Sequence, residues 1–335
     1  MSSTNIGDSS QHFQSLRQTA AIKTRFNTLS NELSTGRIAD LSTHLNGDVA
    51  QLALLDRDLS MLDSHVQASG QLAQTLSEKQ LVLSSLDTEQ TALAARLITI
   101  TASSSSVELE SAEQAGKSGF ERSASMLNTR LGDRSLFAGA AVDGPAVAKS
   151  DDMLASILAS IGGAIDAATI TATIDSWFDD PAGGFATMGY VGDTGAAVTQ
   201  RIGTTEVLTQ DGRADERGLR DILKAGAFAA VSDALSGTLD TATRATLVRT
   251  GGDRTFAATD SLRQIASRIG EDEQRVEEIT ARQSAQRSTI AMARNALVAA
   301  DPFDTATFLQ SVQQQLELHY TATARLSRMS LANYL

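Results

Sequence analysis

The fold is decided by residues 262–297, which read LRQIASRIGEDEQRVEEITARQSAQRSTIAMARNAL. Apolar residues recur there in steps of three and four, as they do along the seam of a helix that packs against another helix. Polar residues at a few seam positions lower stability but fix the register of the pair. The stretch predicts a long helix whose seam is formed by Leu262, Ile265, Ile269, Val276, Ile279, Ile290, Ala293 and Leu297, with Asp272, Gln283 and Gln286 at its polar positions.

A second run of the same kind lies towards the other end of the chain. No aromatic residue occurs between Phe26 and Phe120, and a slender helix pair packs with Leu, Val and Ala where a globular core would use large rings. We therefore expect a mainly α fold in which two arms form a long antiparallel, coiled-coil-like helical rod. The N-terminal seam reads Leu45, Leu52, Leu55, Leu59, Leu62, Val66, Ala73, Leu76 and Leu83, and then shifts, as at a stutter, to Leu86, Leu93, Leu97 and Ile100.

The pattern changes between the two arms. Residues 153–174 are rich in alanine and predict one or two short helices, whereas residues 189–212 alternate between glycine-rich turns and predict a hairpin. A helical spacing from Leu219 to Val231 predicts a helix that covers one face of this hairpin. The middle of the chain is therefore predicted to be a small inserted α/β domain. The predicted segments are an N-terminal assembly helix (1–40), an N-terminal rod arm (41–140), the insert (141–257), a C-terminal rod arm (258–300) and a C-terminal assembly helix (301–335).

Composition and charge exclude several classes of protein. The net charge of −12 argues against a nucleic-acid partner, because phosphate binding needs clustered Lys and Arg. The absence of cysteine excludes disulfides and thiolate chemistry. The first residues lack the basic and apolar regions of a cleaved secretory signal, and no run of about 18 apolar residues occurs. We therefore expect neither a cleaved signal peptide nor a membrane partner.

Residues with catalytic or ligand-binding chemistry are few and scattered. Gly116, Lys117 and Ser118 resemble the end of a phosphate-binding loop, but Ser111 stands where that motif requires glycine. We interpret them instead as an exposed helix kink. No paired spacing typical of a metal site is present among the four histidines, His12, His44, His65 and His319. The sequence therefore predicts no catalytic residue, no metal and no cofactor, and a protein that is not an enzyme.

The two ends of the chain carry matching apolar stripes. Each stripe is too small to hold a helix alone, so we expect the ends to be unfolded in the isolated subunit and to fold on assembly. The alternative is an ordinary terminal hairpin that is docked on the rod. The predicted assembly interface consists of Ile22, Phe26, Leu29, Leu33, Leu309, Val312, Leu316, Tyr320, Leu326, Leu331, Tyr334 and Leu335.

Sequence blocks near both ends carry a family resemblance. Residues 29–38, LSNELSTGRI, followed by Asp40 and by residues 48–50, DVA, resemble the N-terminal block of the flagellin superfamily. Within that superfamily, residues 131–139, LGDRSLFAG, and residues 328–335, RMSLANYL, are similar to segments of its hook-filament junction group. The middle of the chain is matched only loosely.

The resemblance implies a structural subunit of the bacterial flagellum, exported without a cleaved signal peptide to an extracellular position. Its implied place is the hook-filament junction, where it joins hook-associated protein 1 to flagellin in a self-assembled ring layer, after handling by an export chaperone. A flagellin-type main filament subunit is the alternative. An unrelated coiled-coil scaffold is a third possibility, although such a protein would not be expected to carry the Gly-rich insert and the specific ending.

Overall fold

The structure is a computed structural model that describes the backbone of residues 4–332 and the side chains of residue 10 and residues 13–325. Helices dominate this part of the chain. They are α1 (Thr4–Thr35), α2 (Leu41–His44), α3 (Ala50–Leu97), α4 (Ser106–Leu127), α5 (Ser150–Ile161), α6 (Ala167–Asp179), α7 (Arg217–Ala234), α8 (Thr241–Val298) and α9 (Pro302–Ala332), with one π-helical turn at Phe185–Gly189. The predicted fold class, mainly α with a small inserted α/β part, is confirmed.

The β-structure of the described residues consists of two short antiparallel hairpins. Strands β1 (Arg130–Leu131) and β2 (Arg134–Ser135) follow α4 directly, and Arg130 pairs with Ser135. Strands β3 (Thr199–Arg201) and β4 (Val207–Thr209) form the hairpin that the glycine-rich turns predict in the insert, with Gln200 opposite Leu208. The two short helices expected in the alanine-rich stretch are α5 and α6.

The chain divides into two compact units. The first combines the N-terminal residues through Asp63 with the residues from Ala285 onward, and the second spans Ser64–Ser284. The first unit is therefore built from the two ends of the chain, and the second from one continuous segment. The five-segment division proposed from the sequence stays a prediction.

The second unit is built around an antiparallel pairing of α3 with α8. The apolar seam of α8 is buried here at Leu262, Ile265, Ile269, Val276 and Ile279, as the spacing predicts. Its polar position Gln283 is also buried, and Ser69 of α3 donates a hydrogen bond of 3.2 Å to its side-chain carbonyl. The side-chain amide of Gln283 in turn donates to the backbone carbonyl of Ile202 next to β3. The polar seam residue therefore joins both arms to the hairpin.

Helix α7 lies within the same unit and packs closely on α4. A Cβ atom added at Gly116 would lie 2.2 Å from the Cβ atom of Ala229, and one added at Gly226 would lie 3.1 Å from the Cα atom of Phe120. Glycine at these positions lets the two backbones approach. The interpretation of Gly116, Lys117 and Ser118 as an exposed kink is wrong, because α4 is continuous through these residues and Gly116 is buried against α7.

A buried ion pair ties α4 to α8 beside this contact. Arg244 donates from Nε to Oε1 of Glu113 over 2.9 Å, and Ser232 of α7 donates to the same oxygen over 2.5 Å. The hydrogen bond to Glu113 raises the pKa of Arg244 above its ordinary value. Three helices therefore share one buried carboxylate.

Candidate assembly interface

The candidate interface lies in the first unit, where α1 and α9 pair. Helix α1 ends at Thr35, and Gly36 follows with φ +65°, the left-handed conformation that commonly ends a helix. Helix α9 begins with Pro302 at its first position, and Asp301 accepts a 2.8 Å hydrogen bond from the backbone N–H of Phe303. Proline and the capping carboxylate therefore fix where α9 starts.

A short backbone pairing holds the end of α1 beside the turn between α8 and α9. The N–H of Ile38 donates to the carbonyl of Val298, and the N–H of Ala300 donates to the carbonyl of Gly36, both over 3.0 Å. Arg37 and Ala299 form an antiparallel β-bridge between these two bonds. Val298 and Ala300 are buried. This pairing sets the register in which α1 and α9 run antiparallel.

Polar contacts continue the pairing away from that turn. Ser15 Oγ lies 3.4 Å from His319 Nε2 and 3.5 Å from Thr323 Oγ1. The ammonium of Lys23 lies 5.7 Å from the centre of the Tyr320 ring, within the range of a cation–π contact. These contacts are individually weak because the groups remain partly in water.

The predicted stripe residues belong to α1 and α9, which pack against each other, but few of their described side chains are buried. Val312 is buried, whereas Leu33 and Tyr320 keep 39% and 46% of their surface exposed. Side chains of Leu326 and Leu331, and the whole of Tyr334 and Leu335, lie outside the described residues. The half-buried members are Ile22, Phe26, Leu29, Leu309 and Leu316.

Five exposed apolar residues of α1 and α9 were missed by the stripe analysis. Phe13 lies nine residues before Ile22, and Leu318 lies nine residues after Leu309. Nine residues are two and a half turns, so both side chains leave the helix on the side opposite its stripe. A search for apolar residues on the second face of each helix would have found these two. The exposed fractions are 67% for Phe13, 53% for Leu16, 79% for Phe303, 54% for Phe308 and 70% for Leu318.

The adjoining parts of α3 and α8 are held in the first unit by ion pairs at the surface. Arg294 donates from Nε to Asp56 Oδ1 over 2.5 Å, and Arg287 bonds Asp63 in the same way. Both pairs are partly exposed and contribute little stability. The apolar seam is thinner here than in the second unit, since Leu52 and Leu62 are buried but Ile290 and Leu297 are only half-buried.

The described side chains offer this region little chemistry beyond packing. They contain no group of three or more His, Asp or Glu residues placed to hold a metal ion. No helix within residues 4–332 is both long and apolar enough to cross a membrane. The exposed apolar side chains of α1 and α9 are surface that another protein could cover.

Comparison with known families bears on the C-terminal part of this interface. Residues 254–335 match the family described as bacterial flagellin C-terminal helical region. The match supports the flagellin superfamily. It also supports a structural subunit of the bacterial flagellum. A search of curated proteins found no significant match to the chain.

The flagellin match contains all of α9 and the part of α8 that lies in the first unit. Three of the five exposed apolar residues, Phe303, Phe308 and Leu318, therefore lie in the matched region. Helix α1 lies outside the matched residues, so its part in the interface rests on the packing against α9.

Proposed function

We propose that the protein is the adaptor at the hook-filament junction of the bacterial flagellum, a counterpart of hook-associated protein 3. In this role one surface binds hook-associated protein 1 and another binds the first flagellin subunits. In this role the protein is exported and takes up an extracellular position in the flagellum.

The observation that carries an assembly role is the second apolar face of the α1–α9 pair. A surface helix of a monomeric protein normally turns one apolar face inwards and presents polar residues to water. Here the exposed Phe13 of α1 and Leu318 of α9 lie on the side of each helix opposite its predicted stripe. Grouped exposed apolar surface marks a site of protein–protein interaction. Neighbouring subunits would supply the missing partners.

Two sequence blocks favour the junction over the body of the filament. Residues 131–139, which include the β1–β2 hairpin, and residues 328–335 resemble the junction group more than flagellins. An adaptor needs two different contact surfaces, so copies stop after one ring layer and do not propagate. A main filament subunit would bind copies of itself end to end without limit.

The exposed apolar side chains also favour a bound chaperone before export. Surface of this kind promotes unwanted association when the subunit is free. A chaperone that covers α9 would prevent such association and would leave when assembly begins.

Electron microscopy of the purified protein, alone and after addition of flagellin, tests the junction role. We expect no filaments from the protein alone. A strain that lacks the gene should carry hooks without filaments and should release flagellin monomers into the medium.

Full-length filaments in the deletion strain would rule out the junction role. Micrometre-long filaments grown from the purified protein alone would identify it as a main filament subunit.

A further inference from the structure

The second unit contains a polar cleft, whereas the candidate assembly interface belongs to the first unit. Its volume is about 460 Å³, which falls in the range of about 300–1,000 Å³ found for small-molecule sites. The walls come from α3, from the β1–β2 hairpin and the loop after it, and from β3 with the residues after β4. The lining residues are Gln71, Gln74, Thr75, Lys79, Leu131, Arg134, Ser135, Leu136, Gly139, Val142, Val198, Thr199, Gln200, Gln210 and Arg213.

The charge of this lining is opposite to that of the protein. The chain has 40 acidic residues and a net charge of −12, yet the lining contains Lys79, Arg134 and Arg213 and no carboxylate. Arg213 is neutralised by Asp215, which accepts hydrogen bonds of 3.0 and 2.9 Å from it. Lys79 and Arg134 have no ion-pair partner within 4.0 Å among the described side chains. Two positive charges therefore remain for a ligand.

The buried ammonium of Lys79 makes fewer hydrogen bonds than it has donors. Lys79 is only 4% exposed. Its Nζ atom donates one hydrogen bond of 2.7 Å to the carbonyl oxygen of Asp211 and lies 6.0 Å from the centre of the Phe137 ring, at the limit of a cation–π contact. An ammonium group has three donors, and a buried charge is costly unless it is paired. Burial accordingly lowers the pKa of Lys79 to about 8, although the charges of Asp211, Glu216 and Asp272 oppose this. A bound anion would remove the deficit.

A second buried polar group of the lining also lacks a partner. The hydroxyl of Ser135 is buried and makes no hydrogen bond with the described residues. The amides that line the cleft are only partly engaged: Gln210 donates to the Gln200 carbonyl oxygen over 3.1 Å, and Gln200 donates to the backbone carbonyl of Ala68. Amide and hydroxyl groups both donate and accept, which suits the hydroxyls of a ligand.

We propose that this cleft binds a sugar acid, a small molecule that carries one carboxylate and several hydroxyl groups. The ammonium of Lys79 and the guanidinium of Arg134 receive the carboxylate in charge-assisted hydrogen bonds. Ser135 and the glutamine amides hydrogen-bond the hydroxyls. The ligand is small because Lys79 is too deeply buried for a bulky group to reach.

Isothermal titration of the full-length protein with D-galacturonate tests the proposal, with D-galactose and acetate as matched ligands. We expect saturable binding of galacturonate, and at least about tenfold weaker binding of galactose, which lacks the charge, and of acetate, which lacks the hydroxyls. No saturable binding of galacturonate, or equal binding of either matched ligand, would overturn the proposal.

Two variants and a control locate the binding. Arg134→Gln changes an exposed residue and should weaken galacturonate binding about tenfold with the fold intact. Arg201→Gln removes the same charge from β3, outside the lining, and should leave affinity unchanged. Ser135→Ala should weaken binding without lowering Tm, since its hydroxyl has no partner to lose; a purely structural hydroxyl would show the reverse. Equal affinity in wild type and Arg134→Gln would refute the site.

Discussion

At the scale of single residues, the stability of the second unit depends on two buried charged residues, of which one has a partner of opposite charge and the other has none. Arg244 and the hydroxyl of Ser232 donate hydrogen bonds to Glu113, so both of its carboxylate oxygens are hydrogen-bonded. Lys79 has one carbonyl oxygen and no carboxylate in contact. The first arrangement is stable only while it is complete, and the second is costly at any pH at which Lys79 is charged.

Replacing Arg244 with methionine should therefore destabilise the protein strongly. The variant leaves the Glu113 carboxylate buried without its cation, which costs about 3–5 kcal/mol of unfolding free energy. Arg249→Met is the matched control, because Arg249 is exposed on the same helix, and it should change stability by no more than about 0.5 kcal/mol. Urea denaturation of both variants measures the difference. Equal losses would mean that the buried pair contributes nothing specific.

Lys79 should make stability rise with pH in alkaline solution. Its pKa is about 8 in the folded protein and 10.5 in the unfolded chain, so between these values the unfolded state binds more protons and unfolding becomes harder as pH rises. Below about pH 8 the penalty is fully present. The full gain is on the order of 3 kcal/mol, at about 1.4 kcal/mol per pKa unit.

The variant Lys79→Met lacks this titration. Unfolding free energies of wild type and variant at pH 7.5 and pH 10 give the contribution of Lys79 as the difference between the two pH dependences. Parallel curves would show that Lys79 has an ordinary pKa in the folded protein.

At the scale of elements, the seam of α8 decides how the arms of the second unit pair. Its residues from Leu262 to Ile279 are buried in the core, where they pack with Leu76 and Leu83 of α3 among others. The antiparallel direction is visible in the ion pair of Asp87 with Arg263 and the hydrogen bond of Ser69 with Gln283, since one number falls as the other rises.

A charge placed in this seam should break the pairing. Ile279→Asp removes a buried apolar side chain and leaves a carboxylate without a partner, at a cost of about 3–5 kcal/mol. Glu277→Ala, two residues away and exposed, should stay within about 0.5 kcal/mol of wild type. Thermal melting distinguishes the two variants. If Tm fell equally in both, the assignment of Ile279 to the seam would be wrong.

The sequence predicts this seam well and the surroundings of the seam poorly. Periodicity marks Leu262 to Ile279 because one helix face is enough to define them. Leu72 is equally buried in the core of the second unit but lies off the predicted α3 frame, so the periodicity of α3 does not predict its burial. The sequence also suggests a kink at Gly116, because the contact of Gly116 with Ala229 joins two helices that are far apart in sequence. The polar cleft also cannot be predicted from local sequence, because it depends on contacts between distant residues, such as Lys79 and Asp211, which are 132 residues apart.

At the scale of the whole molecule, folding and assembly place different demands on the apolar residues. The second unit buries most of its large apolar side chains in its own core and leaves others, such as Leu81 and Phe256, exposed at scattered positions. Helices α1 and α9 leave five in water: Phe13, Leu16, Phe303, Phe308 and Leu318. The first unit therefore exposes apolar surface that is not buried in the single subunit. We expect neighbouring subunits to bury it on assembly.

Leu318→Ser should accordingly impair assembly and spare the fold. Leu318 is 70% exposed, so its loss should change the unfolding free energy by no more than about 0.5 kcal/mol. Leu81→Ser is the matched control, because Leu81 is 61% exposed but belongs to the second unit. Filament formation in strains that carry each variant is the measurement, and we expect the defect only with Leu318→Ser. Normal filaments with both variants would argue against a contact through this face.

The hydrogen bond between Ser69 and Gln283 also constrains the order of events during synthesis. Its partners are 214 residues apart, so a chain made from its N-terminus completes α3 long before the ribosome reaches the other arm. Until then the seam residues Leu76 and Leu83 have no α8 to pack on, and closing so long a loop is slow. Nascent chains that end before α8 should therefore stay unfolded and prone to aggregate. Release of a nearly complete chain, not the growth of α3, becomes the step that permits native folding.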